Sequence, residues 1–187
     1  VLYHGPGGQV HEQSAEMVIV ACNGVGTPRL LLNSASKLFP DGLANRSGKV
    51  GRNLMFHPLT GVAGVFDDQM KGHEGPMACS ILSQEFYESD PSRGFVRGYG
   101  LHSGRSTTPM TFALGGYGID NPIPWGDAHR EIMDRQYPYL AGLTIVTEDL
   151  PEEDNCVTLD PDLTDSDGIP APKINYRLGE NTRAMLR

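Results

Sequence analysis

Residues 15–36, AEMVIVACNGVGTPRLLLNSAS, constrain this chain more than any other stretch. Met17 to Ala21 is an unbroken apolar run rich in β-branched residues. Strands buried on both faces of an α/β sheet have this pattern. Cys22-Asn23-Gly24-Val25-Gly26 follows, with glycines and an asparagine that tolerate unusual backbone angles. Thr27 reads as an N-cap and Pro28 as the first helical position. The spacing predicts a helix from Arg29 to Ala35, with Leu30, Leu31 and Leu32 against the sheet. In open parallel sheets, ligands bind where such loops leave the carboxyl ends of strands. Amides at a helix N-terminus favour anions such as a pyrophosphate. G-V-G falls short of the G-x-G-x-x-G spacing, so the residues alone favour a structural crossover over a nucleotide site.

Composition narrows the class. The 187 residues are enough for one good core or two small ones. A net charge of −8 argues against nucleic acid as a partner. No apolar run is long enough for a transmembrane segment, and no signal peptide is visible. The three cysteines are far apart, without C-x-x-C, which suggests neither a disulfide framework nor a zinc site. Cys22 and Cys79 lie in apolar contexts and read as inert core thiols. This cysteine usage fits a soluble, cytoplasmic chain better than a secreted one.

Along the chain, Val1 to Tyr3 and Val10 to Gln13 flank a His4-Gly5-Pro6-Gly7-Gly8 hairpin loop. His4 and His11 read as solvated. Residues 36–51 form a loop-rich crossing. After His57 the apolar runs are short and alternating: Leu59–Phe66, Cys79–Phe86, Phe95–Leu101, Leu140–Val146, Asn155–Leu159 and Ala171–Tyr176. They predict strands. Gly104 to Gly118 has little periodicity and reads as a loop, either a lid or poorly ordered. Asp127 to Tyr137 is the clearest helix, with Ile132, Met133 and Tyr137 on its apolar side. His129 on that helix and His73 read as exposed. The acids from Glu148 to Asp154 read as a solvated turn. The aspartates at 160, 162, 165 and 167 miss the EF-hand spacing, so they predict a turn with Gly168 left-handed, not a calcium site. The chain starts without Met inside a strand and ends at a helix start, where Asn181 or Thr182 is a potential cap. It reads as a fragment of a longer protein. Hydrolase and metalloprotease motifs are missing, so no catalytic and no metal-ligating residue is assigned.

Two of these stretches carry a resemblance. V-I-V-A-C-N-G-V-G-T-P-R-L-L-L-N-S, followed by G-L-A-N-R-S-G-K-V-G-R-N-L-M-F-H-P, resembles the flavin-dependent glucose-methanol-choline oxidoreductases. Their signature A-A-G-A-I-G-T-P-x-L-L-L-x-S is followed, a short loop later, by V-G-x-N-L-x-D-H-P. V-T-L-D-P-D-L-T-D-S-D-G-I-P-A-P-K-I-N-Y resembles the far end of that family's substrate domain. Asn23 stands where a Gly is usual, and Phe56 where many members have Asp.

The resemblance implies an α+β fold: an antiparallel-sheet substrate module with helices, preceded by a remnant of an α/β FAD-binding domain. Residues 1–57 would belong to the FAD-binding part and 58–187 to the substrate part. It implies cofactor contacts at Ala21, Cys22, Asn23, Gly24, Thr27, Asn53 and His57. For His57 the residues alone favour a buried, backbone-bonded histidine. The implied reaction moves hydride from a CH–OH group of an alcohol, sugar or polyol to FAD, while a protein base takes the proton. The electron acceptor is not legible. The family's catalytic histidine lies near its C-terminus, and none of the six histidines here sits in such a segment. The fragment alone is therefore expected to hold no tight FAD and to be inactive. A non-enzymatic α/β ligand-binding domain and a fragment of a nicotinamide-dependent dehydrogenase remain as alternatives.

Overall fold

A computed structural model describes residues 1–74, 81–104, 107–116 and 121–187. Among them every strand pairing is antiparallel, and four α-helices accompany eight strands, an α+β architecture. The chain divides into two compact units, Val1–Met55 with Leu150–Gly179, and Phe56–Asp149 with Glu180–Arg187.

The first unit holds the hairpin β1 (Leu2–His4) and β2 (Val10–Glu12), helix α1 (Asn23–Asn33), and the hairpin β7 (Cys156–Thr164) and β8 (Pro170–Asn175). Residues 17–21 carry no strand, which corrects the reading from their composition. Met17 and Ile19 are 79% and 84% exposed. Apolar, β-branched residues make a segment able to enter a sheet, but a strand also needs a partner to bond. Helix α1 starts at Asn23, with Pro28 inside it, so the glycines form its first turn and not a loop before it. Leu30 is exposed, while Leu31 and Leu32 are half-buried, and α1 packs on the β7–β8 hairpin. Cys22 is exposed, not a core thiol, and Cys79 lies outside the described residues.

Residues 51–54 dock on β7 through two backbone bonds. The Val157 amide donates to Gly51 O at 2.7 Å, and the Leu54 amide to Asn155 O at 2.8 Å. Gly51 has φ +81, and a Cβ there would collide with the Val157 carbonyl oxygen. Only glycine lets the two backbones approach this way. Asn53 is left-handed at φ +58, and Leu54 is buried. Asn155, 1% exposed, donates to Arg177 O at 3.0 Å and accepts from the Arg177 amide at 2.9 Å. Arg29 of α1 donates to Pro170 O at 2.8 Å, Asp165 Oδ2 at 2.7 Å and Ile169 O at 3.2 Å, fixing the helix to the tip of the hairpin. That tip is the later half of the turn read from the aspartates: Asp165 Oδ1 accepts from the Asp167 and Ile169 amides, and Gly168 has φ +77, while Asp160 and Asp162 lie in strand β7 and not in a turn.

The second unit is built on a four-stranded sheet in the order β3-β6-β5-β4. Its strands are β3 (Leu59–Val65), β4 (Ile81–Ser83), β5 (Tyr99–Gly104) and β6 (Leu140–Thr147). Strand β5 begins four residues later than the alternation from Phe95 predicts, because a tied loop occupies residues 84–98. The apolar core is Phe112, Ile123, Tyr137 and Leu140, with Ile132 and Met133 packed against it. Phe112 lies on α2 (Pro109–Gly115), a helix capped by Thr108 within the stretch read as a loop. Ile132 and Met133 lie on α3 (Asp127–Arg135), which ends before a 3-10 turn at Tyr137–Tyr139. Two histidines read as exposed are half-buried. His129 bonds Ala113 O and stacks on Trp125, and His73 packs on Tyr137.

Helix α4 (Glu180–Met185) closes the unit. Asp149 is 5% exposed, so the acidic run is not wholly a solvated turn. Its Oδ1 accepts from the Thr182 hydroxyl at 2.7 Å. Asn181 bonds Val96 and does not cap the helix.

Two measurements check this account. Gly51→Ala forces an L side chain into a left-handed angle, a strain of about 1–3 kcal/mol, with the collision at Val157 added; its melting temperature falls well below that of an exposed-loop Gly→Ala control. The Arg29 guanidinium, hydrogen-bonded to Asp165, holds that carboxyl below the usual carboxylate range. A folded pKa depressed in this way gives stability that is present above the unfolded pKa of about 3.9 and is lost as pH falls through the folded value. Asp165→Asn therefore melts lower than wild type at pH 7, and the gap closes below about pH 4. A gap unchanged down to pH 2 refutes the assignment.

Candidate functional site

The motif residues of the first unit gather in one turn. The Cys22 amide donates to Thr27 Oγ1 at 3.2 Å. Asn23, left-handed at φ +60, turns its Oδ1 onto the amides of Val25 at 2.9 Å and Gly26 at 3.0 Å. Asn23, not Thr27, thus satisfies the first orphan amides of α1. Those two amides are not offered to a phosphate. What the turn does offer is access to its main chain. Ala21 and Cys22 are exposed, and a Cβ on Gly24 would meet nothing within 4 Å. These residues fit a group laid against the backbone better than an anion held by several amides. Asn53 sits apart from this turn, half-buried, with no side-chain hydrogen bond among the described residues.

His57 belongs to the second unit. It is exposed and, among the described residues, lacks the backbone bond expected of a structural histidine. It stands on a cleft of about 260 Å³ at the end of the sheet where β5 begins and β6 finishes. Gln84, Tyr87, His102 and Glu148 share the lining. Gly98 makes this possible, because a Cβ there would collide with the carbonyl oxygens of Phe86 and Tyr87. The loop before β5 can then fold back on the strand, and the Tyr99 amide donates to Phe86 O at 3.1 Å. His102 pairs across the sheet with Leu82 and Thr144. Its Nε2 lies 3.5 Å from where a Cβ on Gly100 would sit, so the ring runs along the strand.

Some polar groups here are already engaged. Glu148 faces Arg97 at 3.8 Å, and the Thr147 hydroxyl donates to Pro58 O at 2.8 Å. The rings of His57 and His102 have no hydrogen-bond partner among the described residues. A neutral imidazole presents one donor and one acceptor, which suits a hydroxyl group. Of these lining residues the sequence motifs single out His57 alone; Gln84, Tyr87, His102 and Glu148 belong to no motif. The usable signal was weak, the alternation of His102 with Gly100 and Gly104. Only the register of β4 and β5 brings His102 beside the loop residues.

A larger hollow of about 720 Å³ lies against the opposite end of the sheet, lined by Val62, Phe66, Met70, Ile81, Leu140 and Leu143. Among the described residues its lining is apolar apart from Ser103. Among the described residues, no three His, Cys, Asp or Glu side chains are grouped to hold a metal ion. None of the described helices is long and apolar enough to cross a membrane.

No family model matches the chain. It is 43% identical over 179 residues to a 2-methyl-1,2-propanediol dehydrogenase of Mycolicibacterium austroafricanum, covering 95% of this chain and 32% of that protein. It is 30% identical over 191 residues to the fructose dehydrogenase large subunit of Gluconobacter japonicus, covering 98% and 33%. An uncharacterized GMC-type oxidoreductase of Mycobacterium tuberculosis is 35% identical over 85 residues, covering 46% and 12%. The chain spans about a third of the length of the first two.

The role of Asn23 is testable without a ligand. Asn23→Ala loses the cap and keeps a strained left-handed residue, at a cost of about 0.5–2 kcal/mol for the cap alone. Asn23→Gly keeps the backbone angle and melts closer to wild type. The two melting curves, compared side by side, check the assignment; equal losses refute it.

Proposed function

The chain belongs to the GMC-type oxidoreductases, and from this we propose that it is part of an FAD-dependent enzyme that oxidises a CH–OH group of an alcohol, sugar or polyol. The likeness over 95% of the chain to a diol dehydrogenase carries the reading. The order of the two motifs supports it, as does a hydroxyl-compatible cleft on an antiparallel sheet.

Residues 1–57 are assigned to the part that holds the flavin and 58–187 to the part that holds the substrate. Leu150–Gly179 packs in the same compact unit as residues 1–55. Ala21, Cys22, Asn23, Gly24 and Thr27 would lie along the adenosine diphosphate half of FAD, with their small side chains and open backbone letting it approach. Asn53 would add a polar contact from its free amide. His57, at the cleft, would face flavin or substrate. When bound, the flavin supplies the hydride acceptor.

The residues of this chain bind and orient. A substrate hydroxyl in the cleft can donate to an imidazole nitrogen or accept from an imidazole N–H. We assign no general base within the chain, so its part is to place the carbinol carbon, not to take the proton. The 187-residue chain alone is then expected to bind FAD weakly and to turn over no alcohol.

The decisive measurement is the visible spectrum of the full-length protein. The two-banded absorbance of an oxidised flavin, bleached anaerobically by a small diol or sugar, is the expected result. A colourless protein that reduces a nicotinamide instead refutes the flavin reading. Saturable sub-micromolar FAD binding by the 187-residue chain refutes the division of labour drawn here.

A further inference from the structure

The polar lining of the cleft is unevenly committed, and this points to what the cleft recognises. Glu148 faces Arg97 at 3.8 Å, and the Thr147 hydroxyl is used by Pro58 O. His57, Gln84 and Tyr87 are exposed at its rim. His102 differs from all of these. It is half-buried, on β5, a strand bonded on both sides by β4 and β6. Its ring runs along the strand over Gly100, and neither ring nitrogen has a hydrogen-bond partner among the described residues. A free donor and acceptor on a rigid strand loses little entropy on binding a ligand.

The cleft, of about 260 Å³, has room for a small polyol.

We propose that His102 is a specificity-determining residue that hydrogen-bonds a hydroxyl of the substrate other than the one oxidised, so that the cleft selects a vicinal diol or small polyol over the matching monohydric alcohol. This rests on the reading of the chain as part of an alcohol-oxidising flavoenzyme. A neutral imidazole can accept from that hydroxyl or donate to it, and an alcohol with hydrogen in place of that hydroxyl leaves the same nitrogen unpaired.

The experiment uses the full-length, flavin-loaded protein and the pair propane-1,2-diol and propan-1-ol. Wild type should favour the diol in kcat/KM. His102→Leu should raise KM for the diol about 3- to 10-fold, the effect of one hydrogen bond. kcat for the diol should stay within about twofold, and the loss in kcat/KM should be several-fold smaller for the mono-alcohol than for the diol. His102→Gln, which keeps a donor and an acceptor, should recover part of the preference. A second readout needs no variant: the His102 Cε1–H resonance of the wild-type protein should shift on titration with the diol and not with the mono-alcohol. An unshifted resonance, an unchanged diol KM in both variants, or parallel losses for both alcohols overturns the proposal. A wild-type protein with a flavin spectrum that oxidises both alcohols equally well overturns the selectivity alone. One without flavin or without alcohol turnover overturns the underlying reading, and the subsite with it.

Discussion

The first unit depends on one backbone approach, that of residues 51–54 to β7. Two amide–carbonyl bonds join Gly51 to Val157 and Leu54 to Asn155, and no side chain larger than hydrogen fits at Gly51. The rest follows from that contact. Asn53 takes a left-handed angle so that the chain can turn between the two bonds. Leu54 becomes buried. Asn155, between the approach and the β8 end of the hairpin, uses both ends of its amide on the backbone of Arg177. A buried amide in this position must be fully paired, because each unmade bond costs about 1–3 kcal/mol. The segment V-G-R-N-L, which reads as a family signature, is on physical grounds a register lock between a loop and a strand far away in sequence.

A comparable economy holds the second unit together. Thr147, Asp149 and Thr182 are its buried polar residues among the described ones. The Thr147 hydroxyl closes on Pro58 O, and Asp149 accepts from Thr182 and, at 3.4 Å, from the Phe56 amide. Buried polar groups are tolerated because they are satisfied in this way. Asp149 fixes both the start of the segment that leads into β3 and the helix that ends the chain. Composition placed it in a solvated acidic run. Its neighbours Glu153 and Asp154 do bear out the solvated reading, being exposed along with their ion-pair partners Lys49 and Arg177, whereas Glu152 is half-buried.

Much of the sheet was legible because alternation and turn chemistry are local. β3, β6 and β8 fall within a residue or so of their apolar runs, and α3 follows its apolar stripe. What failed was non-local or competitive. The run Met17–Ala21 has strand composition, yet composition does not supply a bonding partner. Asn23 to Gly26 looked like a loop because glycine weakens helices, but the Asn23 side chain caps the turn and offsets that cost. Phe112 sits in a segment too short and too glycine-rich to show a helical period, and its burial alone reveals the helix. In the cleft, His57 belongs to a motif visible in the sequence. His102 was not legible, because a histidine alternating with glycines acquires meaning only when β4 and the loop before β5 are placed beside it.

The cleft inherits its rigidity from elements that do not line it. Asn181 on α4 donates to Val96 O at 3.0 Å and accepts from the Val96 amide at 2.9 Å. Arg93 donates to Phe86 O and Glu88 O, with its guanidinium 5.8 Å above the Phe86 ring. Phe86 in turn stacks on Tyr99, the first residue of β5. Asp90 accepts from the Ser92 amide and hydroxyl, and these bonds hold its carboxyl below the usual range, so the small 3-10 turn at Pro91–Arg93 stays capped at neutral pH. The loop from Gln84 to Gly98 is therefore bound at both ends and across its middle, and it behaves as a wall of the cleft, not as a lid. A wall fixed this way can discriminate between hydroxyl patterns, because a ligand that leaves His102 unpaired cannot be rescued by the loop moving to fill the gap.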